Sequence, residues 1–269
     1  MLLPRKISVI GVGISATSYA EAAAVCRKLI DKARSGASKR ASYICVTSAH
    51  GIISARFDPE FRAILNRADM ATPDGMPLVW ALRSFGVCGQ QRVYGPELML
   101  ALLAQAASMG HRVFLYGGRA DCLAALEQRL KHKYPGLQIA GAYSPPFRPL
   151  TPEEDRDLVA KIRQSAADLL FVGLSTPKQE YWMAQHVATL PGVVLIGVGA
   201  AFDFHAGRVR QAPAWMQGAG LEWFFRLMME PARLWKRYLL ITPLFLPLWA
   251  LQKMRILRLD LPSAHEGSA

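Results

Sequence analysis

Val113-Phe114-Leu115-Tyr116-Gly117-Gly118, running into Arg119 and then the helix-forming stretch Ala120–Lys133, decides the fold class. A short apolar run that ends in paired glycines and opens a segment of helical period is a strand, a tight turn and a helix. The arrangement recurs at Phe171-Val172-Gly173-Leu174-Ser175-Thr176-Pro177-Lys178-Gln179-Glu180. With these two units included, strands are expected at Ile7–Val12, Tyr43–Thr47, Arg112–Tyr116, Leu137–Tyr143, Leu169–Gly173 and Val193–Val198. Helices are expected over Tyr19–Ser35, Glu60–Arg67, Met76–Ser84, Glu97–Ser108, Pro152–Ser165 and Lys178–Leu190. Thr151, Pro152 and Glu154 mark one helix start as a capping box with proline in the first turn. Strands alternating with helices give an α/β fold with a mainly parallel sheet. The alternation stops near Ala206, so a core over residues 1–205 and a helical appendage over 206–269 are expected.

With 269 residues, 52% hydrophobic and 19% charged, the chain can bury a real core, which excludes disorder. The net charge of +12 favours an anionic partner: nucleic acid, phospholipid headgroups or a phosphorylated substrate. From Ala206 to Arg258 there are nine Lys or Arg against Glu222 and Glu230, which places +7 of the +12 in the appendage. Cys26, Cys45, Cys88 and Cys122 are widely spaced and read as reduced thiols of a cytoplasmic protein. No signal peptide is read at the N-terminus. The apolar run Tyr238–Leu251, interrupted by Pro243 and Pro247, is too short to span a bilayer, which needs about 20 residues. Peripheral membrane contact fits it better.

Several segments carry chemistry, each beside a plainer reading. Gly11-Val12-Gly13-Ile14-Ser15-Ala16 follows an expected strand and precedes an expected helix, and reads as a plain turn first or as a dinucleotide-binding fingerprint with alanine in its last place, although no acidic residue closes the second strand. Asp74, in Thr72-Pro73-Asp74-Gly75-Met76, is an ordinary turn residue or a carboxylate at a pocket mouth that accepts a proton from an attacking hydroxyl. Arg92 is a surface charge or a phosphate ligand. Gly117 and Gly118, and the cap before Lys178 and Gln179, are tight turns or phosphate-holding helix starts. Arg226, Arg233 and Arg237 share a helical face with Glu230, either in salt bridges or facing a ligand, and Pro231 divides that face between two helices. The six histidines show no metal-ligand spacing, so no metal site and no cofactor are expected.

Taken in order, Thr72-Pro73-Asp74-Gly75, Leu115-Tyr116-Gly117-Gly118, Val172 to Glu180, Gly197-Val198-Gly199-Ala200 and Gly220-Leu221-Glu222-Trp223 with Glu230-Pro231 resemble the WecG/TagA/CpsF glycosyltransferases, glycosyltransferase family 26. The resemblance implies a Rossmann-like core with a helical C-terminal appendage. It implies an inverting, metal-free transfer of a hexose or N-acetylhexosamine-type sugar from a UDP-sugar to an undecaprenyl-diphosphate-linked saccharide. The family's base falls on Asp74, its pocket arginine on Arg92, its pocket glutamine on Gln179, and its appendage arginines on Arg226 and Arg233 with Lys236 or Arg237. Where the family commonly has Thr-x-Asn, this chain reads Val46-Thr47-Ser48, so substrate contacts are expected at Thr47 and Ser48 and the departure points to a different sugar. His50-Gly51 is similar to the exopolysaccharide branch. Helix starts at Gly117-Gly118 and Lys178 and the basic tail would hold the donor's diphosphate. The expected place is the cytoplasmic face of the plasma membrane, held peripherally on its anionic surface, with no nucleic acid partner; a homo-oligomer stays open. Removing Leu239–Ala269 is expected to release the membrane and leave the rest folded. The competing readings are a nicotinamide-dependent oxidoreductase, resting on Gly11 and Gly13, and a non-enzymatic basic binding protein, resting on +12.

Overall fold

The computed structural model describes residues 3–261, so the extreme ends of the two expected segments lie outside the described residues. In chain order the elements are β1 (Lys6–Val9), β2 (Val12–Ser15), α1 (Tyr19–Arg34), β3 (Ser42–Thr47), α2 (Ala49–Phe57), α3 (Pro59–Arg67), β4 (Met70–Pro73), α4 (Met76–Ser84) and α5 (Gly95–Met109). They continue with β5 (Arg112–Gly117), α6 (Ala120–Lys133), β6 (Gln138–Tyr143), α7 (Pro152–Gln164), β7 (Leu169–Gly173), α8 (Lys178–Gln185), β8 (Val194–Gly197) and α9 (Ala201–His205). The C-terminal helices are α10 (Ala214–Gly218), α11 (Glu222–Met229), α12 (Pro231–Trp235) and α13 (Phe245–Lys253), with a π-helical stretch, Lys236–Ile241, and a short 3-10 turn before α13. The fold is the expected α/β, Rossmann-like class with C-terminal helices. Contacts divide it into two units, one of Ser18–Val46 and Val93–Gln211, the other of Pro4–Thr17, Thr47–Arg92 and the chain from Ala212 onward.

In the first unit, five strands run parallel in the order β3-β8-β7-β5-β6. Leu115, Phe171 and Ile196 on the central strands are wholly buried, as a parallel sheet covered on both faces requires. Helices α1 and α7 start with capping boxes, Ser18 with Glu21 and Thr151 with Glu154. Gly117 ends β5 opposite Gly173 of β7, and a Cβ on Gly117 would lie 2.5 Å from the Gly173 carbonyl oxygen. Only glycine fits there.

The second unit overturns the expected strand Ile7–Val12. Ile10 and Gly11 both take positive φ, 51° and 81°, and fold β1 and β2 into an antiparallel hairpin. Gly11 is therefore a hairpin turn and Gly13 a strand residue, not a strand-to-helix phosphate loop. The Asn66 side chain occupies that backbone: its Oδ1 accepts from Gly13 N–H at 2.8 Å and its Nδ2 donates to the Gly11 carbonyl at 3.1 Å. The dinucleotide-binding reading fails on this geometry.

The C-terminal helices are part of this unit's core. Phe245 is wholly buried, and the Gln252 side chain accepts from Ile10 N–H at 2.7 Å and donates to the Ser8 carbonyl at 3.0 Å. Trp249 Nε1 donates to Ser84 Oγ at 3.0 Å. Loss of Leu239–Ala269 would strip these bonds from the hairpin and from α4, so that truncation does not spare the rest of the unit.

Candidate active site

The second unit carries a cavity of about 100 Å³ whose walls include Ser48, His50, Asp74, Arg92, Glu222, Trp223, Arg226 and Arg237. Asp74 stands there because β4 ends at Pro73 and α4 begins at Met76, with Gly75 as the N-cap residue. Its backbone is held at both ends: Asp74 N–H donates to the Thr47 carbonyl at 2.9 Å, and Arg92 Nε donates to the Asp74 carbonyl. A carboxylate on a turn fixed this way has few conformations to lose when it meets a substrate.

Helix α2 supplies the facing wall. Ser48 is its N-cap, accepting from Gly51 N–H at 3.5 Å and from Arg237 Nη2 at 3.3 Å. Burial lowers the Arg237 pKa, Tyr238 raises it, Arg226 lowers it, Asp74 raises it and Arg233 lowers it; a guanidinium remains charged through such shifts. Arg237 Nε is buried with no hydrogen-bond partner, and its guanidinium lies over the Tyr238 ring, 5.5 Å from the centroid. Burial first, then the charge of Arg237, push His50 down to about 4, so its imidazole is neutral at neutral pH. The pocket thus brings a carboxylate, cationic groups and a neutral imidazole into one lining.

The profile of the Glycosyl transferase WecG/TagA/CpsF family matches residues 7–258. The chain belongs to this glycosyltransferase family. Among its relatives, the N-acetylglucosaminyldiphosphoundecaprenol N-acetyl-beta-D-mannosaminyltransferase of Bacillus spizizenii is 35% identical over 184 residues, 68% of this chain and 69% of that protein. The enzyme of the same name from Bacillus subtilis is 36% identical over 185 residues, 68% of this chain and 70% of that protein.

In this WecG/TagA/CpsF glycosyltransferase, five of the residues singled out in the sequence meet in one cavity: Ser48, Asp74, Arg92, Arg226 and Arg237. Thr47 is buried and is not part of the cavity wall; its backbone carbonyl accepts from Asp74 N–H. Arg233 instead pairs with Glu230 at 2.7 Å and is 61% exposed, so the three appendage arginines do not present one face to the cavity. Pro231 opens α12 after α11 ends at Met229, as expected, so Arg226 and Arg233 stand on different helices, and Arg237 lies in the π-helical stretch that follows α12. Lys236 lies over the Trp235 ring, 5.6 Å from its centroid. Gly117, Gly118, Lys178 and Gln179 belong to the first unit, at the carboxyl ends of β5 and β7. There Lys178 is exposed at the start of α8, while the buried Gln179 side chain accepts from Gly199 N–H at 3.0 Å and donates to Glu180 at 3.0 Å. Sequence reading missed the wall residues Gln217, Tyr238 and Thr242, and gave Glu222 no role beyond its place in Gly220-Leu221-Glu222-Trp223.

Proposed function

We propose that this glycosyltransferase moves a hexose or N-acetylhexosamine-type sugar from a UDP-sugar to an undecaprenyl-diphosphate-linked saccharide, in cell-surface or exopolysaccharide biosynthesis. The observation that carries the mechanism is one cavity holding the Asp74 carboxylate together with Arg226 and Arg237. The acceptor class follows the name of the Bacillus enzymes, which act on N-acetylglucosaminyldiphosphoundecaprenol.

Asp74 takes the proton of the acceptor hydroxyl as that oxygen bonds to the anomeric carbon. The bond from that carbon to the UDP oxygen breaks, and UDP leaves with the electron pair. A single displacement inverts the centre. Charge growing on the leaving diphosphate is met by Arg226 and Arg237, which line the same cavity, and the partial burial of both raises the worth of each hydrogen bond over its value in water.

The same segment supports a peripheral membrane position. Leu239, Leu240 and Leu246 are 55%, 57% and 52% exposed, with Trp235 and Lys236 close by in the chain. Among the described residues no helix is long and apolar enough to cross a membrane. Cations and exposed apolar side chains in one segment suit an anionic bilayer surface.

A panel of UDP-sugars incubated with a short-chain lipid-diphosphate saccharide tests the reading. Transfer from one donor, with inverted anomeric configuration in the product, supports it; hydrolysis or transfer from none of them rejects it.

A further inference from the structure

The resemblance casts Arg92 as a pocket ligand for substrate, and the structure shows its guanidinium already engaged. Nη2 meets Glu222 Oε2 at 2.5 Å, Nη1 donates to Gln217 Oε1 at 3.4 Å, and Nε donates to the backbone carbonyl of Asp74. The two charged side chains are 15% and 14% exposed, so this is a largely buried ion pair. Glu222 opens α11, four residues before Arg226, and Gln217 lies on α10. One guanidinium therefore joins the turn that carries Asp74 to the two helices that lead to Arg226.

We propose that Glu222 is a positioning residue for the transfer reaction: through Arg92 it fixes the Asp74 turn, and it sets the carboxylate against Arg226. This rests on the proposed role of Asp74 as base. A planar guanidinium with donors on several sides can serve three acceptors at once, which an ammonium on a flexible stem cannot do in the same geometry. With Glu222 supplying the countercharge, Arg92 is held in place without a substrate phosphate. Its contribution is to the orientation of the base, and it falls on kcat rather than on donor affinity.

The test measures kcat and donor KM for Glu222→Gln, Arg92→Lys, Arg92→Ala, the double variant Arg92→Ala/Glu222→Gln, and Asp74→Asn, each confirmed as folded by circular dichroism and thermal unfolding. Glu222→Gln and Arg92→Lys are expected to lose 10-fold or more in kcat with donor KM changed less than 3-fold, and the double variant to lose no more than Arg92→Ala alone, since paired groups acting as a unit are not additive. If Glu222→Gln raises donor KM with kcat intact, or if the two single losses multiply in the double variant, the positioning role is overturned. Should Asp74→Asn itself retain full transfer, the fault lies in the reading of the base, and that result is distinct from both.

Discussion

Arg237 Nη2 donates to Ser48 Oγ at 3.3 Å, which ties the π-helical stretch after α12 to the cap of α2. The same hydroxyl serves the helix, accepting from Gly51 N–H. Ser48→Ala removes both bonds. Because the cap bond is long, a stability loss near the low end of the usual 0.5–2 kcal/mol is expected, read as a small drop in urea midpoint. Arg237→Gln keeps a hydrogen-bond donor but removes the charge, and transfer is expected to fall about 10²-fold, the scale of one lost electrostatic contact to a developing oxyanion. Unchanged turnover by Arg237→Gln would remove this arginine from the reaction.

His50 gives the protein an acid-sensitive element. Its pKa falls from 6.5 to about 4 on folding, so the unfolded chain takes up its proton first as pH drops. The stability it contributes is complete above about pH 6.5 and declines as the pH falls toward 4. His111 and His205 are lowered as well, chiefly by burial, and add to the same slope. His50→Gln is expected to flatten, without abolishing, the loss of thermal stability between pH 6.5 and 4. An identical slope in the variant would place the sensitivity elsewhere.

Gly117→Ala tests the close approach of β5 and β7. A Cβ would sit 2.5 Å from the Gly173 carbonyl oxygen, at a φ of +123° that side chains avoid. A loss of about 2–4 kcal/mol is expected by chemical denaturation, since both the clash and the backbone conformation oppose the methyl group. Wild-type stability would mean that the strands part more easily than their register implies.

How much of this was legible in the sequence follows from where local pattern decides. The strand and glycine turn at Val113–Gly118 and the capping box at Thr151–Glu154 are short-range signals, and both appear in the structure as expected. The hairpin at Ile10-Gly11 was not legible, because a buried isoleucine in the left-handed region is held by the distant Gln252 amide and not by its own neighbours. Strand β4 and helix α2 were passed over: β4 has four residues, and the apolar side chains of α2 do not keep to one face, so neither shows a clean period. In the cavity, Asp74 could be named from its motif, whereas the bonds of Arg92 to Glu222 and Gln217 cross more than a hundred residues of chain.

Membrane association is best probed with point variants, given the bonds that α13 makes to the hairpin. Leu239, Leu240 and Leu246 changed together to Ser remove apolar surface that is already more than half exposed. Co-sedimentation with anionic vesicles is expected to fall at least 10-fold while thermal unfolding is unchanged, because burying even part of such side chains is worth about 1–2 kcal/mol apiece. Binding by the parent protein is expected to weaken as salt rises above 0.1 M, where screening lengths drop below about 10 Å. Equal sedimentation of parent and variant would reject the tail as the contact surface.

Asp74 is proposed to remove the acceptor proton in the cavity it shares with Arg226 and Arg237. The most direct measurement is single-turnover transfer by Asp74→Asn, at saturating donor and acceptor, beside donor binding by the same variant. Binding is expected to be unchanged and the transfer rate to be lower by about 10²–10⁴-fold, the range for a lost general base. Transfer within a few-fold of the parent rate would contradict it.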